Sequence, residues 1–264
     1  MASKKIATDG DAALPSGLRA FSWGDSMSLR EDLKSMDTAK AERMLHLGQV
    51  SVGDFVNFLE PFAHDLAKAV NEVILTHALI PYVVGTGGDF QEFAAPFIRH
   101  LERPYGYGVG CLWPYQSKPN HRGIRPIYFD QEYLEKTPVE PNLLIVVQSV
   151  INDLNPIAAV VERALELKPN MNVLIVAGAG SRFAARRIRR TFRNRLRMIS
   201  AASMPDAFVT DVDLNYWSVA DSLDRREFKY APKLALQLLG RLDASYEERL
   251  RDDWRLPPER RFEF

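Results

Sequence analysis

Cysteine is almost missing from this sequence. Cys111 is the only one in 264 residues, so the chain can form no internal disulfide and no thiolate-rich zinc site. Net charge is missing too, because 34 Lys plus Arg balance 34 Asp plus Glu. No global basic field therefore advertises a nucleic-acid partner, and local clustering must carry any such reading. No stretch reaches the roughly 18 uninterrupted apolar residues of a membrane-spanning helix. Met1–Leu14 is polar and lacks the apolar core of a signal peptide. The expectation is a cytoplasmic protein with no membrane partner. The five histidines, His46, His64, His77, His100 and His121, show no metal-ligand spacing, so no metal site is expected. Internal repeats and low-complexity tracts are absent as well.

What is present is ordinary globular composition, 46% hydrophobic and 26% charged, which excludes a mainly disordered or collagen-like chain. Residues 1–50 read as a leader and helical appendage, 51–242 as one α/β domain and 243–264 as a charged tail. Ser51 suits an N-cap, with Asp54 three residues on. Phe55, Phe58, Leu59, Phe62, Leu66, Ala69, Val70, Val73 and Ile74 then recur at helical spacing, with a kink or break expected at Pro61. From Leu79 the rhythm changes. Leu79–Val84 is a short β-prone run ending in Gly85-Thr86-Gly87-Gly88, and Phe90, Phe93, Phe97 and Leu101 resume helical spacing. A second apolar run covers Tyr107–Leu112. Trp113–Asn142 holds five prolines and reads as a long excursion with little regular structure.

Leu143–Val147 is the clearest buried strand. Gln148–Pro156 leads from it into a helix carrying Ile157, Val160, Val161, Ala164 and Leu165. Val173–Ala177 is a further strand, with Gly178-Ala179-Gly180-Ser181 read as a tight turn before another helix. Ala207–Val212 is expected to be one more strand and Lys229–Leu242 a closing helix. Unalternated strands separated by helices mean a parallel sheet covered on both faces. The fold class is therefore α/β, with helices on both faces and an N-terminal helical appendage.

The order of these elements, over roughly Ser51 to Trp217, resembles the type I phosphoribosyltransferase family. Tyr82-Val83-Val84-Gly85-Thr86-Gly87-Gly88 resembles the loop that faces pyrophosphate in that family. Residues 113–142 stand where its flexible loop would be. Leu144 through Ile157 resembles the signature strand, turn and helix start. The resemblance implies phosphoribosyl pyrophosphate as ligand, with two acidic residues at the ribose hydroxyls, directly or through magnesium. This chain has Gln148 and Ser149 at those acidic positions, and Asp153-Leu154-Asn155-Pro156 where the family has a Thr-Gly-Gly-Thr-like phosphate cradle. Gln and Ser bring no negative charge to hold a cation. Pro156 lacks an N–H, Leu154 resists positive φ, and Asp153 places a negative charge beside the expected dianion.

The resemblance thus implies a fold kept with a degenerate signature loop. Its expected role is to bind a nucleotide, phosphosugar or macromolecular partner in a regulatory or conflict-system setting. The candidate ligand-binding residues are Gly85, Thr86, Gly87, Gly88, Gln148, Ser149, Asn152, Asn155 and Trp217. A second reading is an enzyme that makes or breaks an N-glycosidic bond, with Asp153, Asp211 and Asp213 as candidate catalytic carboxylates. Magnesium enters only under that reading, and no other cofactor is expected. A third reading comes from Arg182–Arg197, which holds eight arginines and no acidic residue. Phe183, Ile188, Phe192 and Leu196 are expected to form its buried stripe. Arg186, Arg190 and Arg193 then present either a nucleic-acid surface or a face that pairs with acidic neighbours, a protein partner or a second copy. Cys111 reads as packed rather than nucleophilic.

Overall fold

The computed structural model describes residues 54–104, 106–116, 126–137, 139–167, 169–192 and 196–204, together with Arg43, His46 and Val50. The expected leader, the Ser51 cap, the strand Ala207–Val212, the helix Lys229–Leu242 and the tail lie outside the described residues.

The first helix, α1 (Phe55–His77), carries its buried residues on one face: Leu59, Phe62, Ala63, Leu66, Ala67, Val70, Val73 and Ile74. It continues unbroken through Pro61. Pro61 and Asn57, four residues before it, are both exposed, so the carbonyl that loses its usual N–H faces water. The chain next forms β1 (Pro81–Thr86), a π-helical turn over Phe90–Ala94 and the short helix α2 (Ala95–Arg99). Strands β2 (Gly108–Gln116) and β3 (Ile127–Leu134) follow, then β4 (Leu143–Ile151), α3 (Leu154–Leu167), β5 (Asn172–Ser181), α4 (Arg182–Phe192) and β6 (Leu196–Met204).

The six strands form one sheet in the order β3-β2-β1-β4-β5-β6. All neighbours are parallel except the β2–β3 pair, which is antiparallel. One face carries Val83, Val109, Cys111, Ile145, Val147, Leu174 and Val176 and packs against α1, the π-turn and α2. The other carries Tyr82, Val84, Leu144, Val146, Val173 and Ile175 and packs against α3 and α4. With both faces covered, alternation disappears and the strands read as continuous apolar runs.

Four expectations are corrected. The excursion Trp113–Asn142 contains the end of β2 and all of β3. β3 is an edge strand with exposed and half-buried positions mixed, so it lacks an apolar run. The prolines of the excursion that are among the described residues sit where the ladder needs no donor: Pro126 before β3, Pro141 before β4, and Pro114 beside the register shift after Leu112. Second, Gln148–Ile151 belongs to β4 rather than to a loop. Third, Gly178–Ser181 is the end of β5, and α4 starts at the next residue. Fourth, α4 stops at Phe192 and Leu196 and Arg197 lie in β6, so Leu196 is not part of a helical stripe.

Candidate functional site

The strand order places a topological switch between β1 and β4. From β1 the chain crosses to β2 over the α1 face; from β4 it crosses to β5 and β6 over the other face. The two connections leave in opposite directions and open a crevice at the strands' carboxyl ends. Open α/β sheets bind ligands in that place.

The ladder pairs Gly85 with Val147, and the same offset sets Thr86 level with Gln148. By alternation Thr86 and Gln148 share the α3 face, following Val84 and Val146. Beyond Thr86 the chain turns through Gly87-Gly88-Asp89. Asp89 is buried, and its Oδ2 accepts a hydrogen bond from the backbone N–H of Ser149, itself buried. This contact spans the switch and joins the glycine turn to the end of β4. The pleat is also interrupted there. Val147 and Val150 meet the same core cluster though three residues apart, as do Val176 and Ala179. Between them, a Cβ on Gly178 would stand 2.6 Å from the Ser149 carbonyl oxygen, so only glycine permits that approach.

The glycine turn is already bonded within the protein. The Gly87 N–H donates to the Leu112 carbonyl at 2.8 Å, and the Asp89 N–H donates to the Thr86 carbonyl at 3.0 Å. A Cβ on Gly87 would fall inside the Trp113 indole, so this glycine makes room for a half-buried tryptophan. On the other side of the crevice only Asn152 and Asp153 separate β4 from α3. Asp153 is exposed, and its Oδ1 accepts the Asn155 N–H at 3.2 Å. The segment Leu154-Asn155-Pro156, expected to be a turn, is the first turn of α3, where Pro156 costs no interior hydrogen bond.

The structure thus brings Gly85, Thr86, Gly87 and Gly88 together with Gln148 and Ser149, and sets Asn152, Asp153 and Asn155 along the same edge. Asp211, Asp213, Trp217 and Arg193 lie outside the described residues. Segments 86–89, 112–116 and 148–155 contain Asp89 and Asp153 but no Lys or Arg. The groups they offer a ligand are mainly hydroxyls and amides. Among these, the Gln148 side-chain oxygen is buried and has no hydrogen-bond partner among the described residues.

No family model and no curated protein matches the sequence. Solved structures do match. A protein of Aquifex aeolicus matches at 12% identity and TM-score 0.48, over 67% of this chain and 85% of the other. An orotate phosphoribosyltransferase of Mycobacterium tuberculosis, in complex with 5-phospho-α-D-ribosyl 1-diphosphate, matches at 13% and 0.39, over 67% and 96%. A hypoxanthine-guanine phosphoribosyltransferase of Bacillus anthracis matches at 14% and 0.38, over 56% and 78%. Phosphoribosyltransferases recur among these matches. The likeness lies in the course of the backbone, and at these values it transfers no residue's role to this chain.

Other candidates lie elsewhere or lack reactivity. Cys111 is buried in β2 beside Gly85, and burial pushes its thiol well above the ordinary range, so it is no nucleophile. Among the described residues, no three His, Cys, Asp or Glu side chains converge as metal ligands. A cavity of about 310 Å³ opens near the start of β1, between Tyr82, Leu134, Ala164 and Met171, at the edge of the sheet opposite the switch. None of the anticipated site residues lines it.

Sequence reasoning missed two members of the site. Nothing local in the sequence marks Asp89, because its partner Ser149 is 60 residues away. Trp113 was assigned to the irregular excursion, although an aromatic at a strand end opposite a glycine turn is a packing signal.

Proposed function

We propose that this chain is a phosphoribosyltransferase-like α/β protein that binds a nucleotide or phosphosugar in the β1/β4 crevice, as a regulatory or conflict-system component without standard transfer chemistry. One observation carries the reading: the buried Gln148 amide oxygen has no donor among the described residues. A buried acceptor left unmade costs about 1–3 kcal/mol. A ribose hydroxyl or an exocyclic amine is a donor that would satisfy it.

The residues present do not fit magnesium. The two positions that carry carboxylates in the resembled family hold an amide and a hydroxyl, and the nearby Asp89 carboxylate is buried against the Ser149 N–H. The glycine turn does not fit an anion well either, since the N–H groups of Gly87 and Asp89 are already bonded. A loop with that chemistry is degenerate for phosphoribosyl pyrophosphate.

The test is a thermal-shift panel of nucleoside mono-, di- and triphosphates, ribose 5-phosphate, and phosphoribosyl pyrophosphate with magnesium. A compound at ~100 times its dissociation constant adds about 2.7 kcal/mol, and the melting point rises accordingly. Gln148→Met, which replaces the orphaned amide with an apolar side chain of similar length, should fold normally and lose the shift. A full shift retained in Gln148→Met, or no shift from any compound at millimolar concentration, refutes the reading. Micromolar binding of phosphoribosyl pyrophosphate with magnesium refutes the degeneracy.

A further inference from the structure

The cavity near the start of β1 lies outside the crevice and uses none of its residues. Its volume of about 310 Å³ falls inside the range of about 300–1,000 Å³ typical of small-molecule sites. Four parts of the chain wall it: Tyr82 of β1, Leu134 at the end of β3, Ala164 of α3 and Met171 just before β5. Tyr82, Ala164 and Met171 are buried in the core on the α3 face, so these walls are interior and apolar. Leu134 packs against the same core from the edge of the sheet. Arg186 and Arg190 are exposed on α4 and take no part in the cavity.

The polar part of the lining comes from one segment, Glu135-Lys136-Thr137, directly after β3. Glu135 fastens that segment to its neighbours. Its N–H donates to the Val109 carbonyl at 3.0 Å, and its Oε2 accepts the Val109 N–H at 2.9 Å. Its carbonyl accepts the Tyr82 hydroxyl at 3.0 Å, which fixes the tyrosine ring against the cavity. A Cβ on Gly108 would stand 2.3 Å from that ring and 2.5 Å from the Thr137 methyl, so bare backbone lets the two side chains converge there. Lys136 is exposed, and no ion pair among the described residues involves it. The lining therefore joins one ammonium and one hydroxyl to apolar walls.

We propose that this cavity binds a small aryl carboxylate, with its rings against Tyr82 and Met171 and its carboxylate at Lys136 and Thr137. Three features select that chemistry. An apolar cavity of about 150 Å³ holds one benzene ring, so a cavity of about twice that volume suits a two-ring body. A tyrosine ring and a methionine thioether are walls that favour an aromatic occupant. The charge is a single one: Lys136 matches one negative charge, whereas a phosphate dianion would carry a second towards the Glu135 carboxylate, and a cationic ligand would meet Lys136 itself. The proposal goes beyond the crevice reading and does not rest on it, because neither Gln148 nor the glycine turn takes part.

The experiment is isothermal titration of the full chain with 2-naphthoate and with its neutral amide, 2-naphthamide. The acid should bind saturably and about two- to fivefold more tightly than the amide, the range of an exposed ion pair. Lys136→Met, at an exposed position, should weaken the acid by that factor and bring the two compounds level. Ala164→Leu fills the cavity from α3 and should abolish binding of both. Thr137→Phe fills it from a half-buried position and carries the same test if Ala164→Leu fails to fold; a circular dichroism melt on each variant decides this. Gln148→Met should bind 2-naphthoate as the unmodified protein does, which separates this site from the crevice. Absence of saturable binding at millimolar 2-naphthoate overturns the proposal. Equal affinity for acid and amide in the unmodified protein overturns it as well, as does a preference that survives in Lys136→Met. Undiminished binding in a folded cavity-filling variant, or loss of binding in Gln148→Met, places the compound elsewhere and is equally fatal.

Discussion

Gly87 belongs to a glycine turn that suits a phosphate in one reading and a tryptophan in the other. Gly106 is the described glycine with a left-handed φ, at 91°; Gly87 has no such requirement. The missing Cβ at Gly87 therefore serves space, because a methyl group there would fall inside the Trp113 indole. Gly87→Ala should behave as overpacking and cost about 1–3 kcal/mol. For a chain of this size that lowers the melting temperature by about 2–12 °C, at about 2–4 °C per kcal/mol. Trp113→Ala alone removes a half-buried aromatic, with about 3–5 kcal/mol as the bound for full burial. In that background the indole atoms that a methyl at 87 would strike are gone, and the backbone is unstrained. Gly87→Ala should then stabilise by about 0.4–1 kcal/mol, through the unfolded chain. The double-mutant cycle should accordingly show coupling of about 1.4–4 kcal/mol between the two positions. Urea denaturation followed by circular dichroism reads it, since fluorescence changes when a tryptophan is removed. A wild-type midpoint for Gly87→Ala would refute the packing role. A loss that persists undiminished in the Trp113→Ala background would refute it too, and would point to the backbone.

Two further outcomes are expected. Ser181→Ala removes the acceptor for the Phe183 and Ala184 N–H groups and should cost about 0.5–2 kcal/mol, with Ser181→Thr restoring most of it; thermal melts of the three proteins check this. The Cys111 thiol, its pKa raised by burial, should resist iodoacetamide in the folded protein and react as the chain unfolds. In the folded state it holds its proton to higher pH than in the unfolded state. Its stabilisation is therefore complete below the ordinary thiol pKa of about 8.5 and declines above it. Urea midpoints at pH 7 and pH 10 should fall further apart in the unmodified protein than in Cys111→Ala.

The central strands were legible because they are covered on both faces. Val83–Val84, Leu143–Val147 and Val173–Ala177 are apolar without alternation, and all three lie in the middle of the sheet. α3 was legible from Ile157, Val160, Val161 and Ala164 at helical spacing. The carboxyl ends of the strands were not. Gln148-Ser149 and Gly178–Ser181 have loop composition, yet β4 and β5 continue there because each supplies the other with ladder partners. β3 escaped because an edge strand needs no continuous apolar run, and β6 because Leu196 and Arg197 continue the arginine pattern of the preceding helix. Phe183 was misplaced for a related reason. Ala184 and Ile188 are buried on α4, and Phe183 is 53% exposed. The convergence of Gly85–Gly88 on Gln148–Ser149 followed from parallel topology, whereas the Asp89–Ser149 bond needed coordinates.

The switch between β1 and β4 also divides the chain into two successive stretches, each of which can pair its own strands. Residues 81–134 supply β1, β2 and β3, and residues 143–204 supply β4, β5 and β6. The seam is closed by the β1–β4 ladder, by Asn142, whose side chain accepts the Ile80 N–H at 2.8 Å, and by Asp89 at the far end. Helix α1, which precedes both stretches, packs against the π-turn and α2 of the first and against β5 and β6 of the second. Closing the seam brings together residues about 60 positions apart, a long-range event in folding. The crevice sits on that line. A ligand held there by Thr86 on one side and Gln148 on the other would bind both halves at once. Its occupancy would be felt in the unfolding rate of the whole sheet, not in the ordering of a single loop.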